Sequence, residues 1–340
     1  MLVDSPTNGT ARQNINYPPG PPGRYRNPMT FLFWLISRLP LWWLHAIGGV
    51  LGLLAARLPG RYGRRLAENL RQAYPDASKA MLAEAARSTG RMILEMPYFW
   101  SRRNPEARMY GFADRLWPEL DRLMAQGRGL IILVPHLGCF EVLPQAFALR
   151  HPVTALYKPP HQAWLRDWIV KMRTRPNLAM APAHPRGVRM LVKALKRGEA
   201  IGILPDQVPT GGEGAWAPFF GNPAYTMTLV QRLQQLTGAP IAVVFAERLP
   251  RGVGYLGHMQ VINHLLPADP AEAVAVINET VEKLVKVCPT QYLWGYNRYK
   301  HPGGAELPPA EPPRAPPVDA SRNPLEEPLP APASLSNDQK

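Results

Sequence analysis

Cys139 and Cys288 are the only thiols in 340 residues, which excludes a disulfide framework and any cysteine-based metal site. Both fit the role of small buried apolar residues. Acidic side chains are also scarce, with 25 Asp and Glu against 39 Lys and Arg for a formal charge of +14. Zinc-finger spacing, a basic zipper and an aromatic RNA-binding signature are missing, so the charge is not read as the footprint of a nucleic acid. No repeat recurs at a solenoid period. The basic residues sit close to strongly apolar segments, and this points to an anionic membrane surface or a phosphorylated lipid.

The chain divides by composition. Residues 1–28, rich in Pro, Gly, Asn and Arg, read as a disordered basic leader, and 302–340, rich in Pro, Ala and Glu, as a disordered tail. Residues 29–60 are almost wholly apolar and aromatic and predict a membrane anchor helix. Within them, residues 39–56 could cover about 27 Å at the helical rise, close to the roughly 30 Å of a hydrocarbon core. Arg38, Pro40 and His45 interrupt the run, while Trp34, Trp42 and Trp43 suit the headgroup level, so a shallow monotopic anchor competes with a span. Arg57, Arg61, Arg64, Arg65 and Arg71 crowd its C-terminal flank and favour a cytoplasmic main domain at an inner membrane.

Residues 61–301 read as one domain. Its first part, 61–127, carries helical periodicity; after that, candidate strands (130–134, 153–157, 200–204, 241–246, 255–261) alternate with candidate helices (141–149, 162–173, 187–196, 226–236, 270–287). The expected fold is therefore α/β, a mixed, largely parallel central sheet flanked by helices and preceded by the apolar anchor. In such folds ligands gather outside the carboxyl ends of the strands, where His136, Lys158 and Asp206 fall.

His136-Leu-Gly-Cys-Phe-Glu141 follows directly on the apolar run 129–135. In a continuous helix two residues five apart would diverge by about 140°, so the pair needs a turn between its members, and Gly138 tolerates one. Glu141 can then hold one ring nitrogen of His136 and leave the other to take a proton from a hydroxyl, the attacking group of an acyl transfer. The alternative is a structural His and Glu paired by chance. A zinc hydrolase ranks lower, because no other His or Cys forms a ligand set nearby; neither metal nor cofactor is expected.

Further candidates are cations and strand-end polar groups. Lys158 closes the second strand and Arg173 ends the helix after it. Arg186, just before Gly187 at a helix start, can share an anion with backbone N–H groups; Arg189, with Lys193 and Lys196, forms a basic helix face. Asp206 and Gln207 precede a glycine-rich loop, and Asp206 is expected to hold Arg173 or to help orient the acceptor.

An ordered set of these features resembles the late lipid A acyltransferases, within the lysophospholipid acyltransferase superfamily with its glycerol-phosphate-acyltransferase-like fold. It comprises the anchor, His136-x4-Glu141, Tyr157-Lys158-Pro159 followed by Arg173, Lys193 to Glu199 leading into Asp206-Gln207, Pro218 to Gly221 with Thr226, and Gln291 to Lys300. The resemblance covers about 31–302. Pro135 and Glu141 resemble the lipid A branch more than glycerolipid acylation, where Asn and Asp are usual. It implies transfer of a fatty acyl group from acyl carrier protein to a hydroxyl of a Kdo-bearing lipid A precursor, with His136 and Glu141 as catalytic dyad. Lys158, Arg173, Arg186, Arg189, Asp206 and Gln207 would bind the anionic substrate. A lysophospholipid, glycerol phosphate or other glycolipid acceptor, or a non-catalytic anionic-lipid binding protein, are the alternatives.

Overall fold

The computed structural model describes residues 28–101, 105–159, 169–170, 172–210 and 212–309. Most of the leader, the tail beyond residue 309, the greater part of the helix expected over 162–173 and the side chain of Trp34 lie outside them.

The apolar N-terminal run forms two helices, α1 (Pro28–Arg38) and α2 (Leu41–Arg57). Pro40 separates them, lacking the N–H that a continuing helix would use. No single helix among the described residues is long and apolar enough to cross a membrane; α2 together with α3 (Arg61–Ala73), bent by 94°, makes a pair that is. The one continuous helix expected over 29–60 is thus replaced by two. Leu35, Trp42, Trp43, Val50, Leu51 and Leu54 are exposed on α1 and α2. The opposite face of α2 packs on α4 (Lys79–Ser101) through glycines, where backbones approach closely: a Cβ on Gly90 would stand 1.9 Å from the Gly48 carbonyl oxygen.

Next come a two-residue strand β1 (Met109–Tyr110), α5 (Trp117–Met124), β2 (Leu130–Leu133), α6 (Val142–Phe147), β3 (Val153–Tyr157) and β4 (Leu178–Pro182). They are followed by α7 (Pro185–Lys196), β5 (Ala200–Ile203), the ribbon of β6 (Gly214–Phe219) and β7 (Asn222–Met227), then α8 (Leu229–Thr237), β8 (Ile241–Arg248), β9 (Tyr255–Ile262) and α9 (Pro270–Val287). The main sheet runs β1-β9-β8-β2-β5-β3-β4. Every neighbouring pair is parallel except β8 with β9.

This is the expected mixed, largely parallel sheet between helices. Alternation along β2 divides the core: Leu130 and Ile132 pack with α5 and α6, while Ile131 and Leu133 face the α7, α8 and α9 side. Within the sheet region, further features differ from the sequence reading. β4 was not expected, because five residues of Leu, Ala, Met and Pro give little strand signal. The ribbon takes residues 226–227 from an expected helix, and Pro218 and Pro223, opposite one another in it, argue against strands in sequence although a two-stranded ribbon tolerates them.

β2 lies at the point where the strand order reverses: the chain leaves it for β3 on one side and later returns to β8 on the other. Side chains at the carboxyl ends of β2 and β5 therefore face one crevice.

Candidate active site

His136 follows β2 and Asp206 follows β5, and the parallel pairing of Leu133 with Ile203 brings the two loops together. Asp206 binds His136 twice: Oδ1 lies 2.9 Å from ring Nδ1, and Oδ2 accepts the His136 backbone N–H at 2.9 Å. Asp206 is 3% exposed. Burial raises its pKa, but the facing imidazole and the two hydrogen bonds outweigh that and hold it below its usual range. An ionised carboxylate only accepts, so Nδ1 donates to Asp206, and in the neutral imidazole Nε2 then presents a lone pair. Gln207 Nε2 stands 3.5 Å from that nitrogen.

Glu141 takes a different partner. Its Oε2 accepts from Trp100 Nε1 at 2.7 Å and from Arg173 Nε at 3.1 Å, and its Oε1 accepts from Arg173 Nη2. Arg173 also stacks over the Trp100 ring, 5.1 Å from its centroid. The expected pairings are therefore exchanged: Asp206, not Glu141, orients the histidine, and Glu141, not Asp206, holds the arginine. The reason is local. Glu141 is the N-cap residue of α6, already in helical conformation, and it points toward α4. Trp100, at the end of α4, was missed; nothing near it in sequence distinguishes it from a core aromatic.

The turn between His136 and Glu141 depends on Gly138, as expected. Its φ is +60°, and a Cβ there would meet the Ala246 carbonyl oxygen at 2.0 Å. Cys139 N–H donates to that same carbonyl, Gly138 N–H to Gln291 O, and Leu293 N–H to His136 O. The turn is thus clamped by β8 and by the segment after α9. Cys139 is buried, and desolvation pushes its thiol well up, which fits packing and not nucleophilic chemistry.

His136, Glu141 and Arg173 line one cavity of about 340 Å³, whose other walls are mostly apolar, among them Trp117, Phe147, Val153, Met180 and Val244. Lys158 and Gln207 also line it. Arg186 and Arg189 are exposed on α7 and are not among its lining residues. No group of His, Cys, Asp and Glu suited to hold a metal ion occurs among the described residues.

A base whose second nitrogen is held by no carboxylate, with a buried carboxylate behind it and an arginine beside an apolar cavity, can deprotonate a hydroxyl next to a bound fatty chain. Residues 28–301 match the profile of the bacterial lipid A biosynthesis acyltransferases. The lipid A biosynthesis lauroyltransferase of Escherichia coli K12 is 29% identical over 281 residues, covering 79% of this chain and 89% of that protein. The palmitoleoyltransferase of the same strain is 30% identical over 278 residues, with 79% and 89% covered. A lipid A biosynthesis acyltransferase of Haemophilus influenzae is 28% identical over 301 residues, with 80% and 91% covered. The chain belongs to the bacterial lipid A biosynthesis acyltransferase family.

Proposed function

We propose that this acyltransferase moves a fatty acyl group from acyl carrier protein to a hydroxyl of a Kdo-bearing lipid A precursor, with His136 as general base. The observation that carries this reading is the His136 imidazole, tied to buried Asp206 through Nδ1, with its second nitrogen at an apolar cavity. The acceptor oxygen attacks the thioester carbonyl carbon and forms the new C–O bond as its proton passes to Nε2. Collapse of the tetrahedral intermediate breaks the C–S bond, and the departing sulfur takes the proton from Nε2. Asp206 balances the transient imidazolium charge. Arg173, fixed by Glu141 and Trp100, lines the same cavity and supplies positive charge for the oxyanion or for an anionic substrate group.

The site of action in this reading is the cytoplasmic face of the inner membrane. The exposed apolar surface of α1 and α2, with Trp42 and Trp43 at its edge and Arg57, Arg61 and Arg64 following, suits a helix pair lying in the headgroup layer. The net positive charge suits two anionic partners, an acidic carrier protein and a phosphorylated glycolipid.

The test is a mass-shift assay with lauroyl-, palmitoleoyl- and myristoyl-acyl carrier protein and the Kdo-bearing precursor. One added acyl mass, lost in folded His136→Ala, supports the reading; undiminished product from His136→Ala overturns the mechanism. Acylation of a lysophospholipid or glycerol phosphate with none of the precursor would overturn the acceptor. Vesicle flotation with Trp42→Ser and Leu51→Ser tests the membrane face, which is refuted if binding to anionic vesicles is unchanged.

A further inference from the structure

A second recess of about 510 Å³ opens beside the first, sharing Leu156, Tyr157, Lys158, Leu204 and Gln207 with it. The two meet beside Gln207, next to the free nitrogen of His136. The floor of the second recess is apolar, formed by Leu156, Val188 and Val192 on one side and Val208, Leu229 and Leu233 on the other. None of these residues has a role in the chemistry described above, apart from walls held in common.

Its lining carries two cations, Lys158 and Arg232, and one carboxylate, Glu213. Lys158 lines it and is exposed. Lys300 and Arg65 are not among its lining residues but sit on segments docked beside it: Asn69 of α3 donates to the carbonyls of Trp294, at 2.7 Å, and Tyr296, at 2.6 Å. This docks the helix that carries Arg65 on the segment leading to Lys300. Tyr296 in turn accepts the N–H of Val208 at 2.8 Å, binding that segment to the recess wall. Burial and then the charges of Lys158 and Arg65 lower the Lys300 pKa, so Lys300 lies within electrostatic reach of both. Among the described residues none of the three has a carboxylate partner. Clustered cations of this kind repel until an anion joins them.

We propose that this second recess is the acceptor subsite: its apolar floor takes a fatty chain already present on the acceptor lipid, and Arg65, Lys158 and Lys300 receive the acceptor's acidic headgroup. The first cavity is then left for the chain in transfer, and the acceptor hydroxyl comes to His136 from the side of Gln207. This rests on the acyl-transfer reading and assigns the two halves of the reaction to the two recesses. The apolar floor beside the cations decides between occupants, because a phosphorylated, acidic-sugar lipid brings fatty chains and several negative charges together, whereas an acidic carrier protein offers charge and a thioester-linked arm with one phosphodiester.

The experiment measures KM separately for acyl carrier protein and for the phosphorylated acceptor lipid in Val192→Trp, which fills the floor, and in the surface double variant Arg65→Ser/Lys300→Ser. Acceptor KM should rise at least about tenfold in each, with donor KM within about twofold. The double variant should also lose part of the salt dependence of acceptor KM. A rise confined to donor KM would make the recess the channel of the carrier arm and overturn the proposal, as would unchanged constants in the folded double variant. Equilibrium binding of the acceptor lipid to His136→Ala, with and without the same substitutions, needs no turnover. If wild-type protein transfers no acyl group yet binds this lipid through the recess, the acyl-transfer reading fails and the subsite stands.

Discussion

Glu95 and Arg248, 153 positions apart, form a buried ion pair between α4 and the end of β8, with Arg248 Nε 2.9 Å from Glu95 Oε2. Arg248 also donates through Nη2 to the Gly138 carbonyl at 3.1 Å, inside the turn that carries His136. His45 of α2, at 3.0 Å, and the Tyr255 hydroxyl, at 2.8 Å, complete the shell of the Glu95 carboxylate. The N-terminal helices are thereby joined to the turn that carries His136 through one carboxylate.

Burial raises the Glu95 pKa, but Arg248 and His45 outweigh it and leave it at about 2, below the ordinary 4.5. A folded pKa below the unfolded one means stability present above pH 4.5 and lost progressively as pH falls through the folded value. Glu95→Gln, which strands the arginine, should cost about 3–5 kcal/mol at neutral pH. Denaturant titrations should show the gap to wild type narrowing as pH falls below about 4.5. A gap independent of pH would refute the assignment.

Asp206→Asn should lower kcat by about 10²- to 10⁴-fold with little change in acceptor KM, since it removes the group that fixes the tautomer and balances the imidazolium. Glu141→Gln should act through Arg173, and Arg173→Gln should therefore add little to it in a double-mutant cycle. Additive effects of Glu141→Gln and Arg173→Gln, with a mild Asp206→Asn, would restore the His136–Glu141 pairing that the sequence suggested.

Gly90→Ala should open the α2–α4 crossing and destabilise the fold by about 1–3 kcal/mol, read from denaturant midpoints. Gly138→Ala, at positive φ and against the Ala246 carbonyl, should reduce kcat by more than the fraction unfolded explains. Equal loss of activity and fold in both variants would deny Gly138 a positioning role.

Val153→Phe adds volume to the wall of the first cavity and should shift preference in donor competition toward the shorter acyl chain. An unchanged ratio of lauroyl to palmitoyl transfer would place the fatty chain elsewhere.

The short apolar runs from residue 130, alternating with helical patterns, determined most of the sheet by themselves, because parallel strands buried on both faces read as continuous apolar runs too short for helices. The histidine at a strand end and the glycine turn after it were equally legible, as backbone demands expressed in neighbouring residues. What the sequence did not determine is which carboxylate meets which cation. Asp206 reaches His136 only because β5 lies beside β2, and Arg173 reaches Glu141 only because α6 presents it toward α4 and Trp100. The Glu95–Arg248 pair and the docking of Asn69 on the Trp294 and Tyr296 carbonyls likewise join segments far apart in the chain. Hydrogen bonds and ion pairs act over a few ångströms, and which groups come that close was settled by strand order and helix docking.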